Sequence, residues 1–299
     1  MERYESNGFC EYLKKYEGQH DFKFYDTTKS LLVVAGKQDN EPIMLIIDDR
    51  VKKEEYETGL NPYEKSFGNI CYCIAKTANL PLFWIRYVDR EILNNYDTVS
   101  LWEEVSRDKD GRDRDGFRTI QMKDLVSVFQ SHNIQAELEN RTPQKRKNDS
   151  LSSAFHIWQR ECLKVGVFAD IDLIRFRKNK VESIVELKRS YYGLNSWRPF
   201  AKDLNNFSII SNVCRRLGDI PFYILYHEQI PCSSGKNIKK EEQKYYVPIE
   251  KKGKPYFDKV DYVKIFHVER RDNVYFYSLP YPVCDGIYRV DDWIFREKE

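Results

Sequence analysis

The sequence lacks long apolar runs and lacks an excess of charge of one sign. Its 299 residues carry 49 lysines and arginines against 47 aspartates and glutamates, for a formal net charge of +2. No segment approaches the roughly 20 apolar residues that a membrane-spanning helix needs, and the first residues are charged where a signal peptide is apolar. These absences exclude disordered, collagen-like and strongly basic classes of protein. They predict a cytosolic (cytoplasmic) protein without membrane association.

Cysteine lacks regular spacing and occurs in an odd number. Cys71 and Cys73 are separated by one residue, but no second pair and no nearby histidine completes a zinc site. The pattern is typical of free, mostly buried thiols in a reducing compartment. The seven cysteines are Cys10, Cys71, Cys73, Cys162, Cys214, Cys232 and Cys284.

Aromatic residues are the one excess, at 14% of the chain, which favours strands or stacking surfaces. The length predicts about two domains. The polar, basic and proline-containing segment ENRTPQKRKND is the predicted linker, so we place one domain at 1–140 and a second at 141–299. From Gln229 onward, short alternating stretches such as YVKIFHV and NVYFYSL predict a β-rich C-terminal segment.

Residues 167–227 carry the clearest local pattern. Two apolar stretches, ADIDLIRF and VESIVELKRS, flank the polar RKNK, which is typical of a β-hairpin. A turn centred on this polar segment places Ile174 opposite Ile184. In the same register, Asp172 lies opposite Glu186.

Charged side chains are unusual within strands as apolar as these. Glu186 and Lys188 are two residues apart on one strand and therefore project from the same face. Asp172 and Glu186 repel each other unless a cation lies between them, and oxygen ligands of this kind suit Mg²⁺ or Mn²⁺. Beside such an ion, Lys188 could orient or deprotonate a water, or stabilise negative charge on a phosphate. The alternative interpretation is a structural ion pair.

A helix and a further strand are predicted after the hairpin. Apolar residues recur at spacings of three and four from Phe200 to Leu217. Pro199 suits a first helical turn, and Gly218 suits a helix end. The next stretch, FYILYH, is an apolar strand. Because a crossover helix joins parallel strands, this strand is predicted to lie parallel to the one that carries Glu186.

Residues 150–227 resemble the core of the PD-(D/E)XK nuclease superfamily, in which Asp172, Glu186 and Lys188 match the motif and Ile171 stands in place of its proline. The resemblance implies an α/β fold with a restriction-endonuclease-like mixed sheet flanked by helices. It implies that Asp172 and Glu186 bind Mg²⁺ or Mn²⁺, that Lys188 is the catalytic lysine, and that the reaction is hydrolysis of DNA phosphodiester bonds. A restriction or antiphage role is also what the resemblance suggests.

Three further residues are candidate metal ligands. Asp170 shares a face with Asp172 and is the alternative first carboxylate. The segment SLSSAFHIWQREC reads as a capped helix, and related nucleases often supply a Glu or His from this helix, which makes His156 and Glu161 candidates. A manganese-dependent RNA endonuclease that uses His156 is therefore an alternative function.

The first half of the chain has a similar outline. SLLVVAGKQDNEPIMLIIDDR reads as a hairpin, PYEKSFGNICYCIAKTANLP as a helix and LFWIRYV as a strand. Superposing the two segments places Ser30, Ile47 and Asp49 at the positions of Asp172, Glu186 and Lys188. None of these three preserves the chemistry, so we predict a degenerate, inactive copy of the fold in the N-terminal half.

Basic and aromatic residues near the predicted site suit a phosphate backbone and stacked bases. DNA is therefore the expected partner, and a homodimer is left open. The alternative from a different class is a non-catalytic nucleic-acid-binding or protein-interaction module that kept the fold. The residues in question are Arg175, Arg177, Lys178, Lys180, Arg189, Tyr191, Tyr192, Trp197, Arg198 and Lys202.

Overall fold

The computed structural model describes residues 8–16, 22–26, 30–37, 40–103, 116–144, 153–177, 180–233, 238–251, 254–273 and 276–295. Within these residues the chain is a mixed α/β protein whose two large sheets each combine parallel and antiparallel strands. The predicted α/β class is confirmed at this level. In the described part of the chain, no helix has the length and apolar character needed to cross a membrane.

The described residues form both strands and helices. The strands are β1 (Phe22–Asp26), β2 (Ser30–Gly36), β3 (Pro42–Val51), β4 (Leu82–Val88), β5 (Thr98–Glu103), β6 (Arg118–Gln121), β7 (Glu137–Leu138), β8 (Leu163–Lys164), β9 (Val167–Ile171), β10 (Leu173–Arg177), β11 (Lys180–Ser190), β12 (Phe222–Pro231), β13 (Tyr246–Lys251), β14 (Lys254–Asn273) and β15 (Phe276–Arg289). The helices are α1 (Gly8–Leu13), α2 (Lys53–Thr58), α3 (Pro62–Ala78), α4 (Leu125–Ser131), α5 (Ala154–Cys162), α6 (Leu204–Arg216) and α7 (Val290–Phe295).

The chain divides into two compact units. The flanking unit comprises Met1–Thr28 and Ile171–Glu299, and the central unit comprises Lys29–Asp170. The predicted boundary between residues 140 and 141 differs from this division in two segments. The reason is strand pairing: β1 pairs with β10 of the flanking sheet, and β9 joins β2 of the central sheet. Strand β1 precedes the β2–β3 hairpin in the chain but lies at the edge of the flanking sheet. Strand β9 precedes the β10–β11 hairpin but lies at the edge of the central sheet.

The sheet of the flanking unit has the order β1-β10-β11-β12-β14-β13, with β15 also paired to β14. Ile174 lies opposite Ile184 in the antiparallel β10–β11 pair, so the predicted hairpin register is confirmed. Strands β11 and β12 are parallel, as the crossover predicted. The long β14–β15 pair confirms that the C-terminal segment is rich in strands.

Apolar side chains cover both faces of strand β11. Val185 and Leu187 belong to a buried cluster with Phe9 of α1 and Trp293 of α7. On the other side of the unit, α6 buries Phe207 and the apolar residues that follow it at helical spacing. Burying one such side chain stabilises a fold by about 1.5–3 kcal/mol. This burial on both faces holds β11, which carries Glu186 and Lys188, at the centre of the sheet.

The central unit repeats part of this outline. Its sheet has the order β6-β5-β4-β3-β2-β9, and it contains the predicted hairpin, helix and parallel strand as β2, β3, α3 and β4. Asn61 and Glu64 form a capping box at the start of α3, because each side chain accepts the backbone N–H of the other residue. Asn79, in the left-handed conformation, ends the helix.

The cysteine side chains agree with the prediction of free, mostly buried thiols. All seven cysteines are free, and four of them are buried. Part of the predicted linker lies outside the described residues.

Asp48 of β3 is a buried carboxylate. It is 2% exposed and accepts hydrogen bonds from the hydroxyls of Tyr87, at 2.8 Å, and Ser153. Burial raises its pKa to about 6, although both hydroxyls and the charge of Arg50 favour the ionised form. The folded state therefore binds this proton more tightly than the unfolded chain does.

We expect Asp48→Asn to remove a pH dependence of stability. An acid whose pKa is raised on folding stabilises the fold fully below its unfolded pKa, and this contribution is lost as pH rises through the folded pKa near 6. From about pH 4 to pH 7, the free energy of unfolding of the wild type should fall by up to about 3 kcal/mol relative to the variant. Urea unfolding across this range measures the difference. A difference that does not change with pH contradicts the assignment.

Candidate active site

Asp172 stands at a break between two strands. The stretch ADIDLIRF was predicted as one strand, but it divides into β9 and β10 with Asp172 between them. One Asp172 carboxylate oxygen accepts the backbone N–H of Leu187 at 2.8 Å. Leu173 and Val185 are the last paired residues of β10 and β11, so Asp172 lies opposite Glu186, one residue beyond this last pair. The hairpin register thus brings the two carboxylates together as expected.

Glu186 and Lys188 form a close ion pair on β11. Lys188 Nζ lies 2.6 Å from Glu186 Oε1, and Glu186 is 6% exposed. The Lys188 ammonium also lies 5.8 Å from the centre of the Phe207 ring, which α6 packs against this face. The three motif residues therefore converge on the side of the sheet that α6 covers.

The charges of these groups are coupled. Burial raises the pKa of Asp172 more than Lys188 and the Leu187 N–H lower it. Burial lowers the pKa of Lys188, but attraction to Glu186 and Asp172 outweighs it, so the net shift is upward. Lys188 is therefore a charged ammonium that pairs with Glu186, and the charge of Asp172 also acts on it.

A third carboxylate, Asp203, was missed in the sequence. It lies on the helical turn before α6 and helps to raise the pKa of Lys188. The predicted crossover from β11 into this helix is the sequence feature that could have indicated Asp203. The loop after β11 leads directly to the start of this helix, so an acidic residue in its first turn returns to the end of the strand that carries Lys188.

The donor atoms fit a hard divalent cation. Mg²⁺ is commonly held by one or two carboxylates, with water and substrate phosphate as its other ligands. Asp172 and Glu186 supply two carboxylates, whereas no group of three or more His, Cys, Asp or Glu side chains suited to a metal occurs among the described residues. The site is thus of the two-carboxylate type, with Lys188 as the competing cation.

The other three candidate ligands belong to the central unit. His156 uses its backbone N–H to bond the capping hydroxyl of Ser153, and Glu161 pairs with Arg160 at 3.0 Å. Asp170 contributes to the raised pKa of Asp48. None of the three lies in the unit that contains Asp172, because α5 and β9 pack in the central unit.

Two residues predicted to contact nucleic acid are buried, so those predictions are corrected. Arg175 is 6% exposed, pairs with Glu182 at 2.9 Å and donates to the carbonyl of Ile294. Trp197 is 3% exposed and stacks on Tyr226 with ring centres 4.2 Å apart. Both were misjudged because their partners are distant in sequence or lie on the neighbouring strand.

The remaining predicted contact residues differ in exposure. Arg177 is half-buried near Glu182, and Arg189 is paired with Asp258 at 2.7 Å. Lys178 lies outside the described residues. The exposed members are Lys180, Tyr191, Tyr192, Arg198 and Lys202. Most of the accessible set therefore comes from the segment directly after β11.

Strands β3 and β4 of the central unit can be aligned with β11 and β12 of the flanking unit. The N–H of Leu45 bonds Pro81 and the N–H of Ile184 bonds Pro221, so the two parallel pairs align. This alignment puts Ile47 and Asp49 at the positions of Glu186 and Lys188, as predicted.

The third superposed position needs correction. In the hairpin, Leu32 lies opposite Ile47, whereas Ser30 lies opposite Asp49. Leu32, and not Ser30, therefore matches Asp172. Sequence spacing alone does not fix the register of a hairpin, so the predicted superposition was displaced by two residues on β2.

A buried arginine provides the cation in the central unit. Arg86 on β4 lies 3.5 Å from Asp49 and 3.4 Å from Glu64, and all three are at most 5% exposed. Asp49 also accepts the indole N–H of Trp84 at 3.1 Å. The carboxylates are thus neutralised by a side chain of the protein itself.

Comparison with known proteins identifies no relative. No family model matches the chain, and neither curated proteins nor solved structures give a match.

Proposed function

We propose that the protein is a metal-dependent nuclease that hydrolyses phosphodiester bonds in DNA, with Mg²⁺ or Mn²⁺ as its cofactor. The observation that carries the proposal is the convergence of Asp172, Glu186 and Lys188. Glu186 is buried and lies opposite Asp172. Lys188, two residues after Glu186 on the same strand, contacts the Glu186 carboxylate at 2.6 Å. Placing two carboxylates close together, one of them buried, is costly unless cations compensate them.

The topology around these residues supports a restriction-endonuclease-like core. An antiparallel hairpin, a helix and a parallel strand follow in the order β10, β11, α6 and β12. This is the order that the resemblance to PD-(D/E)XK nucleases implies. The central unit repeats the order with Arg86 in place of an exchangeable cation, which suits a non-catalytic copy.

Each residue has a defined task in the proposed reaction. Asp172 and Glu186 would hold the cation, which would supply Lewis acidity and a more acidic bound water. Lys188 places its positive charge beside them, where it stabilises negative charge that develops on the phosphate. Phe207 and the buried strands keep the lysine in position.

A non-catalytic binding module is the second candidate. The contact between Lys188 and Glu186 favours it, since an ion pair of 2.6 Å satisfies both charges without a metal. The two candidates predict the same fold and differ only in turnover.

DNA cleavage separates the candidates. We expect the purified protein to nick or linearise plasmid DNA in Mg²⁺ or Mn²⁺ and to be inactive in EDTA. RNA of similar length is the comparison substrate. Equal cleavage with and without chelator contradicts the proposal, and binding without cleavage in either metal favours the binding module.

A further inference from the structure

The segment between β11 and α6 forms an exposed aromatic loop, residues 191–200, which begins three residues after Lys188. Tyr191, Tyr192 and Phe200 are 54%, 60% and 45% exposed. Large aromatic side chains normally bury much of their surface. Three exposed rings in one short loop therefore mark a contact surface rather than scattered surface residues.

Buried and half-buried side chains of the sheet fix the backbone of this aromatic loop. Lys264 donates to the carbonyls of Asn195, at 3.2 Å, and Trp197, at 3.0 Å. Glu228 accepts the N–H of Leu194 at 2.8 Å. Because the backbone is held at several points, the exposed rings are presented in a fixed place, which lowers the entropic cost of binding.

The base of the aromatic loop is anchored by one residue of β12. The hydroxyl of Tyr226 bonds Ser190 and the carbonyl of Tyr192, and its ring stacks in parallel on Trp197. The exposed ring of Tyr192 is thus attached to a backbone that is tied to the sheet. Trp197 is thus the buried aromatic residue of this loop, whereas Tyr191, Tyr192 and Phe200 are exposed to solvent.

The charged residues of this segment are all basic, although Lys188 and Arg189 pair with Glu186 and Asp258. Between Glu186 and Asp203 the chain contains Lys188, Arg189, Arg198 and Lys202 and no acidic residue. The ammonium of Lys202 lies 5.5 Å from the centre of the Phe200 ring. Rings that alternate with cations suit a polyanion that also carries flat, apolar faces, which is the chemistry of a nucleic acid.

We infer that the aromatic loop binds unpaired bases, so that the substrate is single-stranded at the site of contact. In a duplex the faces of the bases are stacked on one another and are not accessible to a side chain, whereas in a single strand they are free to stack on tyrosine or phenylalanine. The inference rests on the proposed function for the reaction, but the binding it describes needs no metal.

The test measures binding in EDTA, at one fixed salt concentration. Fluorescence anisotropy compares a short labelled oligodeoxythymidine with a duplex of equal length, using the wild type, Tyr192→Ala and Phe200→Ala. Tyr192→Phe keeps the ring. Tyr96→Ala, in the central unit, removes a tyrosine that is 71% exposed and serves as the matched control.

We expect the wild type to prefer the single strand. Each alanine variant should lose about tenfold in single-strand affinity, as for one lost base stack. Tyr192→Phe and Tyr96→Ala should bind as the wild type does. Equal affinity for both DNAs, or alanine variants that bind the single strand normally, would overturn the inference. Failure to bind either DNA would also overturn it and would point to a protein partner.

The outcome is separable from that of the nuclease proposal. Single-strand binding with the expected variant effects, but without cleavage in any metal, supports the loop inference while the nuclease proposal fails. Metal-dependent cleavage of duplex DNA that Tyr192→Ala and Phe200→Ala leave unchanged overturns the inference and keeps the nuclease.

Discussion

Replacement of Arg86 by methionine is expected to destabilise the protein by about 3–5 kcal/mol, because it leaves buried carboxylates without their cation. Arg86 lies 3.5 Å from Asp49 and 3.4 Å from Glu64, and it also donates to the carbonyl of Glu55 at 2.9 Å. Methionine keeps much of the apolar volume, so the loss reports the charge rather than a cavity.

Urea unfolding measures this effect, and Arg90→Met is its control. Arg90 follows the same strand and pairs with Asp97 at 3.0 Å, but its side chain is 40% exposed. Pairs at the surface contribute about 0–1 kcal/mol. If the Arg86 variant is no less stable than the Arg90 variant, the cluster does not have the role assigned to it. Addition of Asp49→Asn to Arg86→Met should recover part of the loss, since one uncompensated charge is then absent.

The local pairing of the hairpin could be predicted from sequence because short-range patterns determine it. The apolar alternation of β10 and β11 and the polar turn between them specify the register that places Ile174 opposite Ile184. The helical spacing from Phe200 to Leu217 likewise predicts the crossover and the parallel strand. These features depend on neighbours within a few tens of residues.

Features that depend on distant residues could not be predicted in the same way. Strand β1 has no local signal that it pairs with β10. Arg175 looks like a surface residue until Trp293 is brought over it. Trp197 looks like a binding residue until Lys264 and Tyr226 are seen to hold its backbone and ring.

The central cluster shows the same limit. The position of Asp49, two residues after Ile47, could be found by counting along the strand. The cation that pairs with Asp49 is on β4, however, and the other carboxylate that pairs with this cation, Glu64, is on α3. Superposition of the two halves suggested a site that had lost its chemistry. The structure shows a complete ion cluster in which Arg86 supplies the positive charge.

Neutral replacements at the candidate active site are expected to reduce DNA cleavage by about a thousandfold or more. Glu186→Gln and Asp172→Asn keep the shapes of the side chains but remove the charge that would hold a divalent cation. Lys188→Met removes the ammonium that lies 2.6 Å from Glu186 and would stabilise charge on the phosphate.

Two controls separate chemistry from folding. Asp89→Asn and Lys65→Met alter exposed residues of the central unit and should retain full activity. Unfolding of each variant should be measured as well, because Lys188→Met removes the ammonium that pairs with buried Glu186 at 2.6 Å and is expected to lower stability. Glu186→Gln avoids that problem, since it removes a buried charge, and is therefore the variant that separates function from fold most clearly.

The most direct measurement is the single-turnover rate of DNA cleavage in Mg²⁺ by the wild type and by Glu186→Gln, with enzyme in excess over substrate. The predicted result is metal-dependent cleavage by the wild type and a rate about a thousandfold lower, or undetectable, for a folded variant. Equal rates for the two proteins would contradict the assignment of Glu186 and, with it, the metal-dependent nuclease site on β11.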